Sequence, residues 1–322
     1  MTFESTGPLS AVLDQQEFRE ELDRLCRSEW RWGIPQEVRL QVLKAHTRRC
    51  TFDVALKTDS GWHALIGKAY VRDRFDIFRA MGTFRAAGFG PEAEFSIPQP
   101  LAHFSSLRVR LEEKVPGPSA KDVFLNGTPD ERVAAARRCA RWLAQFQAVA
   151  PSGLGKRIDL GVELPRWECW AGEVARFGEL LARKSRLLLG KLKGAVPKPG
   201  TFENCATHGS YIPEHVILSG RRTAAIDLDE YGVADPAREV AWFVISLERL
   251  AMKHLGSFRA LDGAAQEFQS AYGSASRRAA LMHYGLYRAV ECLHRGRRDL
   301  TARTPPAYEW AETMLDQGLE AL

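Results

Sequence analysis

Chemistry-bearing residues are densest over a short stretch of the chain: His208-Gly209-Ser210-Tyr211, then Ile226-Asp227-Leu228-Asp229, then Ala234-Asp235-Pro236. Between the first two groups, Val216-Ile217-Leu218 is an apolar run too short for a helix. Gly220-Arg221 is a turn signal, and Thr223 to Ile226 is a second short run, so the spacing predicts a hairpin. Such a hairpin carries Ser210 into a cleft at one end and delivers Asp227, just past the second strand, to the same cleft. A hydroxyl and a carboxylate well separated in sequence then meet at one ligand.

These three pieces, in this order and at these separations, resemble the aminoglycoside phosphotransferase and choline kinase branch of the protein-kinase-like superfamily. That branch carries H-G-D-x-x-x-x-N, then I-D-x-[DE], then G-D-P-x-x-D-L-A. Here they stand as His208 to His215, Ile226 to Asp229, and Ala234-Asp235-Pro236-Ala237-Arg238-Glu239-Val240-Ala241. Three linked pieces in register are far more specific than any one alone. The resemblance implies a two-lobed α+β kinase-like fold, with a small β-rich N-lobe and a larger helical C-lobe, that binds ATP and Mg2+ and phosphorylates a hydroxyl acceptor.

Two departures bear on the activity. The family's catalytic Asp is replaced by Ser210, and its metal-binding Asn by His215. Serine is no base near neutral pH, and magnesium prefers hard oxygen donors to an imidazole. The metal is therefore expected mainly on Asp227, with Asp229 a second carboxylate, and the acceptor proton is left to Asp229, Glu214 or Glu230. General-base help contributes about 10²–10⁴-fold, while most acceleration of phosphoryl transfer comes from positioning and charge neutralisation. The resemblance also gives His208 the role of a scaffold for the catalytic loop. Asp235 is expected to tie the loop down through backbone hydrogen bonds.

Upstream, Ala64-Leu65-Ile66-Gly67-Lys68-Ala69-Tyr70 is a short apolar strand holding one lysine. It resembles the nucleotide-anchoring strand of kinases, so Lys68 is expected at the phosphates and on the same triphosphate as Asp227. Standing alone, such a lysine reads as a solvent-facing edge residue. The helix predicted from Phe75 to Ala87 contains no Glu, which leaves Asp76 either as the lysine's partner or as a helix N-terminal charge. The turn Lys44 to Cys50 has no glycine to cradle phosphates, and Arg48 and Arg49 are cationic substitutes or a solvated basic turn. Leu107 to Glu113 reads as the last strand of this lobe, and the resemblance puts the adenine on hinge backbone near Glu113 and Val115.

The elements that must position these groups follow from patterning. Phe18, Leu22 and Leu25 mark an amphipathic leader from about Leu9 to Trp32. Strands and one helix fill Val38 to Pro116. Helical stripes then dominate: Val133, Ala136, Ala140, Leu143 and Phe146, and Val240, Phe243, Val244, Leu247 and Leu250. Arg278 to His294 and Tyr308 to Leu319 read as closing helices. The expected division is a helical extension over 1–34, an N-lobe over 35–116 and a C-lobe over 117–322.

With 322 residues and 45% hydrophobic content, two lobes can each bury a core. The start of the chain lacks a continuous apolar run and no later stretch reaches transmembrane length, so a cytoplasmic protein with no membrane partner is expected. Six isolated cysteines, without zinc spacing, read as buried thiols. Arg176, Arg183, Lys184, Arg186, Lys191, Lys193 and Lys198 crowd one segment. They suit either an anionic acceptor or acidic peptide, or a solvated helix face with lysines lying along leucines. Nucleic acid is not expected, because aromatics do not alternate with these cations. Trp167, Trp170, Trp242 and Trp310 are candidates for an acceptor pocket or for packing. The two functional readings are an active phosphotransferase with an atypical loop, and a pseudokinase that binds nucleotide or serves as a scaffold for a partner protein.

Overall fold

The computed structural model describes residues 16–158, 160–198, 204–276 and 281–322. The early part of the expected leader and residue 278 lie outside these ranges. The chain divides after Pro116 into two compact units.

The first unit comprises α1 (Gln16–Ser28), β1 (Glu37–Ala45), β2 (Arg49–Thr58), β3 (Gly61–Tyr70), α2 (Phe75–Phe84), β4 (Phe95–Ser96), β5 (Pro100–Phe104) and β6 (Val109–Glu113). Five strands form an antiparallel sheet in the order β1-β2-β3-β6-β5. Strand alternation sorts its residues onto two faces. Phe52, Val54, Leu56, Leu65, Ala69, Val109 and Leu111 face a core closed by Phe18, Leu22, Leu25 and Cys26 of α1. The opposite parity carries Thr51, Lys68 and Arg110, paired across neighbouring strands. Gly67 sits opposite Phe52, and a Cβ at Gly67 would run into the Phe52 ring. Phe52 in turn meets Phe18 edge-on at 6.1 Å, so the glycine beside Lys68 lets the sheet close onto α1.

The second unit comprises α3 (Ala120–Asn126), α4 (Pro129–Val149), β7 (Lys156–Arg157), α5 (Leu160–Ala175), α6 (Glu179–Ala195), β8 (Cys205–Thr207), β9 (Val216–Ser219), β10 (Arg222–Ala225), β11 (Gly232–Ala234), α7 (Ala237–Leu255), α8 (Asp262–Ala275), α9 (Tyr284–Thr301) and α10 (Tyr308–Glu320). Helix α4 starts with a capping box, Thr128 and Glu131 each accepting the other's backbone N–H. Strands β9 and β10 form the antiparallel hairpin that the sequence predicts. Strand β11 runs parallel to β7 and antiparallel to β8. Helices α5, α6, α7, α9 and α10 share a core that includes Trp167, Leu188, Ala241, Leu293 and Leu315. No helix among the described residues is long and apolar enough to cross a membrane.

Candidate functional site

In the second unit, β8 ends at an elbow whose geometry is over-determined. Gly209 has φ 85°, and a Cβ there would collide with the carbonyl of Glu230, so glycine is required twice over. The His208 and Gly209 N–H groups both donate to the buried carboxylate of Glu239 on α7, at 3.1 and 2.8 Å. Burial pushes the Glu239 carboxyl up, and those two N–H bonds together with Arg238 oppose the shift. Gln147 supports Glu239 at 3.4 Å and is itself held by the Tyr272 hydroxyl. Glu239 stands at the second acidic position of the signature's third piece, yet sequence reasoning gave it no role. Its signal was there: an acid inside an otherwise apolar helix stripe.

His208 is fully buried. Its Nε2 lies 2.9 Å from the Ile226 carbonyl, and the Ser210 N–H approaches its Nδ1 at 3.4 Å. One ring nitrogen donates while the other accepts, which describes a neutral imidazole used as scaffold. Tyr211 donates to the Cys139 carbonyl at 2.8 Å and stacks between Trp142 and Phe243, locking the residue beside Ser210.

Ser210 itself is half-buried, its Oγ 3.4 Å from the Asp227 carbonyl and 3.5 Å from His215 Nδ1. His215 Nδ1 donates to the Ser210 carbonyl at 2.8 Å, which turns Nε2 toward the Asp227 carboxylate at 3.6 Å. A neutral ring in that tautomer presents a lone pair to a carboxylate, an arrangement that a proton on Nε2 or a shared cation stabilises. Asp227 adopts the left-handed region, φ 65° and ψ 54°, which turns the chain sharply as it leaves β10. Non-glycine residues held there cluster at functional sites. Asp229 follows in the next turn and is buried, Glu230 is exposed, and Glu214 lies 3.9 Å from Lys121. Among the described residues no group of three or more His, Cys, Asp or Glu side chains is placed to hold a metal ion.

Asp235 accepts the Ala237 N–H at 2.8 Å and pairs with His283 Nδ1 at 2.7 Å. The backbone bonding expected of it is thus at the start of α7, while the amides of the elbow are held by Glu239, four residues on.

In the first unit, Lys68 is buried with its Nζ 3.6 Å from Glu112, which also accepts from Arg110 at 2.9 Å. Glu112 stands on β6, one strand over. It is an acid that sequence reasoning passed over because it was sought on the following helix. Asp76, on α2, is half exposed and bonded to Arg74 at 3.0 Å. Arg49 opens β2 opposite Tyr70. Its neighbour Arg48 lines a cavity of about 380 Å³ with Tyr70, Val71, Arg72 and Arg74. Glu113 exchanges hydrogen bonds with Gln99 through its backbone N–H (2.9 Å) and its carboxylate (3.0 Å), and Val115 follows two residues later, half-buried. The basic segment on α6 is extensively paired: Lys184 with Glu312 and Asp316, Arg186 with Glu179, Lys193 with Glu168.

The sequence profile of the phosphotransferase enzyme family matches residues 67–282. The chain belongs to that family. Solved structures with this kinase-like fold include a protein of Ralstonia eutropha assigned as an aminoglycoside phosphotransferase. That chain is 15% identical, with 94% of this chain and 97% of that one covered at a TM-score of 0.64. A choline/ethanolamine kinase family protein from Mesorhizobium loti is 13% identical over 94% of both chains, TM-score 0.58. The ADP-bound aminoglycoside phosphotransferase APH(2'')-Ib is 12% identical over 95% of this chain and 99% of that chain, TM-score 0.59. At such identities the likeness establishes the fold. No curated protein matches the sequence. The family match spans both Lys68 and the elbow, so the α+β kinase-like architecture read from the signature holds for this phosphotransferase family member.

Proposed function

We propose that this phosphotransferase family member binds ATP with a divalent cation and transfers the γ-phosphoryl group to a hydroxyl acceptor, slowly, through the Ser210 elbow. The observation that carries the reading is the pairing of Asp227 with His215 at 3.6 Å, next to an elbow whose amides Glu239 holds and whose His208 binds the Ile226 carbonyl just ahead of Asp227. Magnesium is commonly held by one or two carboxylates, with phosphates and water completing its shell. Asp227 and His215 fit a cation bound that way, and the imidazole nitrogen shifts preference toward Mn2+ relative to an all-oxygen set. The cation, when bound, neutralises phosphate charge. Lys68 takes a phosphate oxygen, Arg49 adds positive charge at the β1–β2 turn, and backbone of Glu113 and Val115 meets the base. Asp229 is the carboxylate nearest in sequence to the cation ligand and is assigned the acceptor proton.

A second reading, a nucleotide-binding pseudokinase that regulates a protein partner, draws on Ser210: a hydroxyl stands where a carboxylate would accept the proton. Thermal-shift titration with ATP, alone and with Mg2+ or Mn2+, tests the shared premise. Cation-dependent stabilisation that Asp227→Ala removes is expected, and no stabilisation of the unmodified chain sinks both readings. ATP turnover by the native chain beside Ser210→Asp then separates them. Turnover only after the aspartate is restored leaves the pseudokinase reading standing.

A further inference from the structure

The first turns of α7 face two ways. Glu239 points at the elbow, while Arg238 and Trp242, four residues apart and hence on one helical face, line a separate cavity of about 60 Å³. Trp167 and Trp170 of α5 and Glu291 and His294 of α9 contribute to the same walls. That volume is several times the roughly 10–15 Å³ that admits one water, so it suits one small polar group rather than a sugar ring.

The wall chemistry is one-sided. Three buried groups on residues of this wall have no hydrogen-bond partner among the described residues: Trp167 Nε1, Trp242 Nε1 and Arg238 Nη1. All three are donors, and Trp167 is wholly buried. Buried donors without acceptors are uncommon and costly, which makes them a signal for a missing acceptor. The cavity's own carboxylates are committed, Glu291 to His294 and Arg295 and Glu163 to Arg166. A cationic ligand is disfavoured because the indole faces already carry cations: Arg166 lies 5.0 Å over Trp170, and Arg238 and Arg295 lie 5.3 and 5.8 Å over Trp242. Two indole N–H groups and a guanidinium N–H together match an oxyanion.

We propose that this cavity is a binding site for the oxyanion, carboxylate or phosphate, of a small organic ligand. The proposal is independent of phosphoryl transfer and of nucleotide binding. It is tested on the full chain by following the indole N–H resonances in 1H–15N spectra during titration with inorganic phosphate, acetate and tetramethylammonium. The resonances of Trp167 and Trp242, assigned through their Phe variants, should shift saturably with phosphate or acetate, and whichever anion does so names the source. Arg238→Gln should weaken that binding at least tenfold. Trp167→Phe, which keeps an aromatic ring but removes the indole donor and some buried volume, should weaken it several-fold in a chain that still unfolds cooperatively, at a lower melting temperature. Resonances that stay fixed with both anions, that shift equally well in Arg238→Gln, or that respond to tetramethylammonium instead would overturn the assignment. ATP-induced thermal stabilisation should be the same in Trp167→Phe as in the native chain, so loss of this site and loss of the nucleotide site register separately.

Discussion

Two buried glutamates support the candidate chemistry from behind, one in each unit, and they do so differently. Glu239 receives backbone N–H groups of the elbow, whereas Glu112 receives side-chain cations, Lys68 and Arg110. An acid that holds backbone fixes the course of the chain whatever side chain stands at position 210. An acid that holds a lysine fixes where a charge sits and how far it can reach. The side chain at position 210 is therefore free to vary on the first scaffold, and the second scaffold is tuned by charge.

The largest effect should come from testing that freedom. If Glu239 alone sets the elbow, Ser210→Asp installs a proton acceptor on a backbone already shaped for it, and phosphoryl transfer should rise about 10²–10⁴-fold with little change in stability. Steady-state turnover with a hydroxyl acceptor, or ATP hydrolysis in its absence, measures this. A rate within a factor of two of native would show that the elbow is not the reacting site.

Next in size, Glu239→Ala strips the acceptor from two buried amides. At about 1–3 kcal/mol for each unsatisfied group, the loss of folding free energy should be about 4 kcal/mol, read by denaturant unfolding. A loss below about 1 kcal/mol would mean that the elbow finds other acceptors, and the contrast between the two glutamates would fail.

How much of this was legible in the residues depends on the kind of signal. The hairpin Val216–Ala225, the strand around Lys68 and the helix stripes were readable because period and turn chemistry are local. Ser210, Asp227 and His215 are gathered by motif order, and the second unit does hold them together, with contacts of 3.4 to 3.6 Å. Glu112 was not readable. Its pairing with Lys68 arises from a strand register across some forty intervening residues, which no local period encodes. Glu239 lies within the signature, but its role is not legible there, since only the three-dimensional path of the elbow shows where the elbow's N–H groups go. The cation cluster on α6 read equally well as an anion surface or as a solvated face, and its ion pairs to α10 and α5 come from helix packing.

A third buried glutamate checks the electrostatic side of the comparison. Burial alone would push the Glu291 carboxyl up, but Arg295 and His294 beside it bring it down to about 2. Its folded value lies below the roughly 4.3 of an unfolded glutamate. The stabilisation is therefore full above that pH and is lost as pH falls from about 5 toward about 2, by an amount of the order of 3 kcal/mol. Glu239, shifted up by burial against weaker backbone dipoles, has the opposite sign: its contribution favours folding at low pH and fades as pH rises through its folded value. Unfolding curves taken down the acid limb should lose part of their slope in Glu291→Gln. An unchanged slope would remove Arg295 and His294 as the cause.

The smallest effect is the most discriminating for the first unit. Glu112→Gln preserves shape and one acceptor oxygen while removing the charge that Lys68 and Arg110 share, so stability should fall by about 1–2 kcal/mol. ATP affinity should weaken about fivefold, close to 1 kcal/mol, because Lys68 loses its fixed position without losing its charge. If Glu112 acts through Lys68, the effect on affinity must vanish in a Lys68→Met background, where there is no ammonium left to place. Isothermal titration of ATP against the native chain, the two single variants and the double variant closes that cycle. Additive losses would place the influence of Glu112 elsewhere, through Arg110 and the packing of β6, and would make the first unit's glutamate a structural residue like its counterpart on α7.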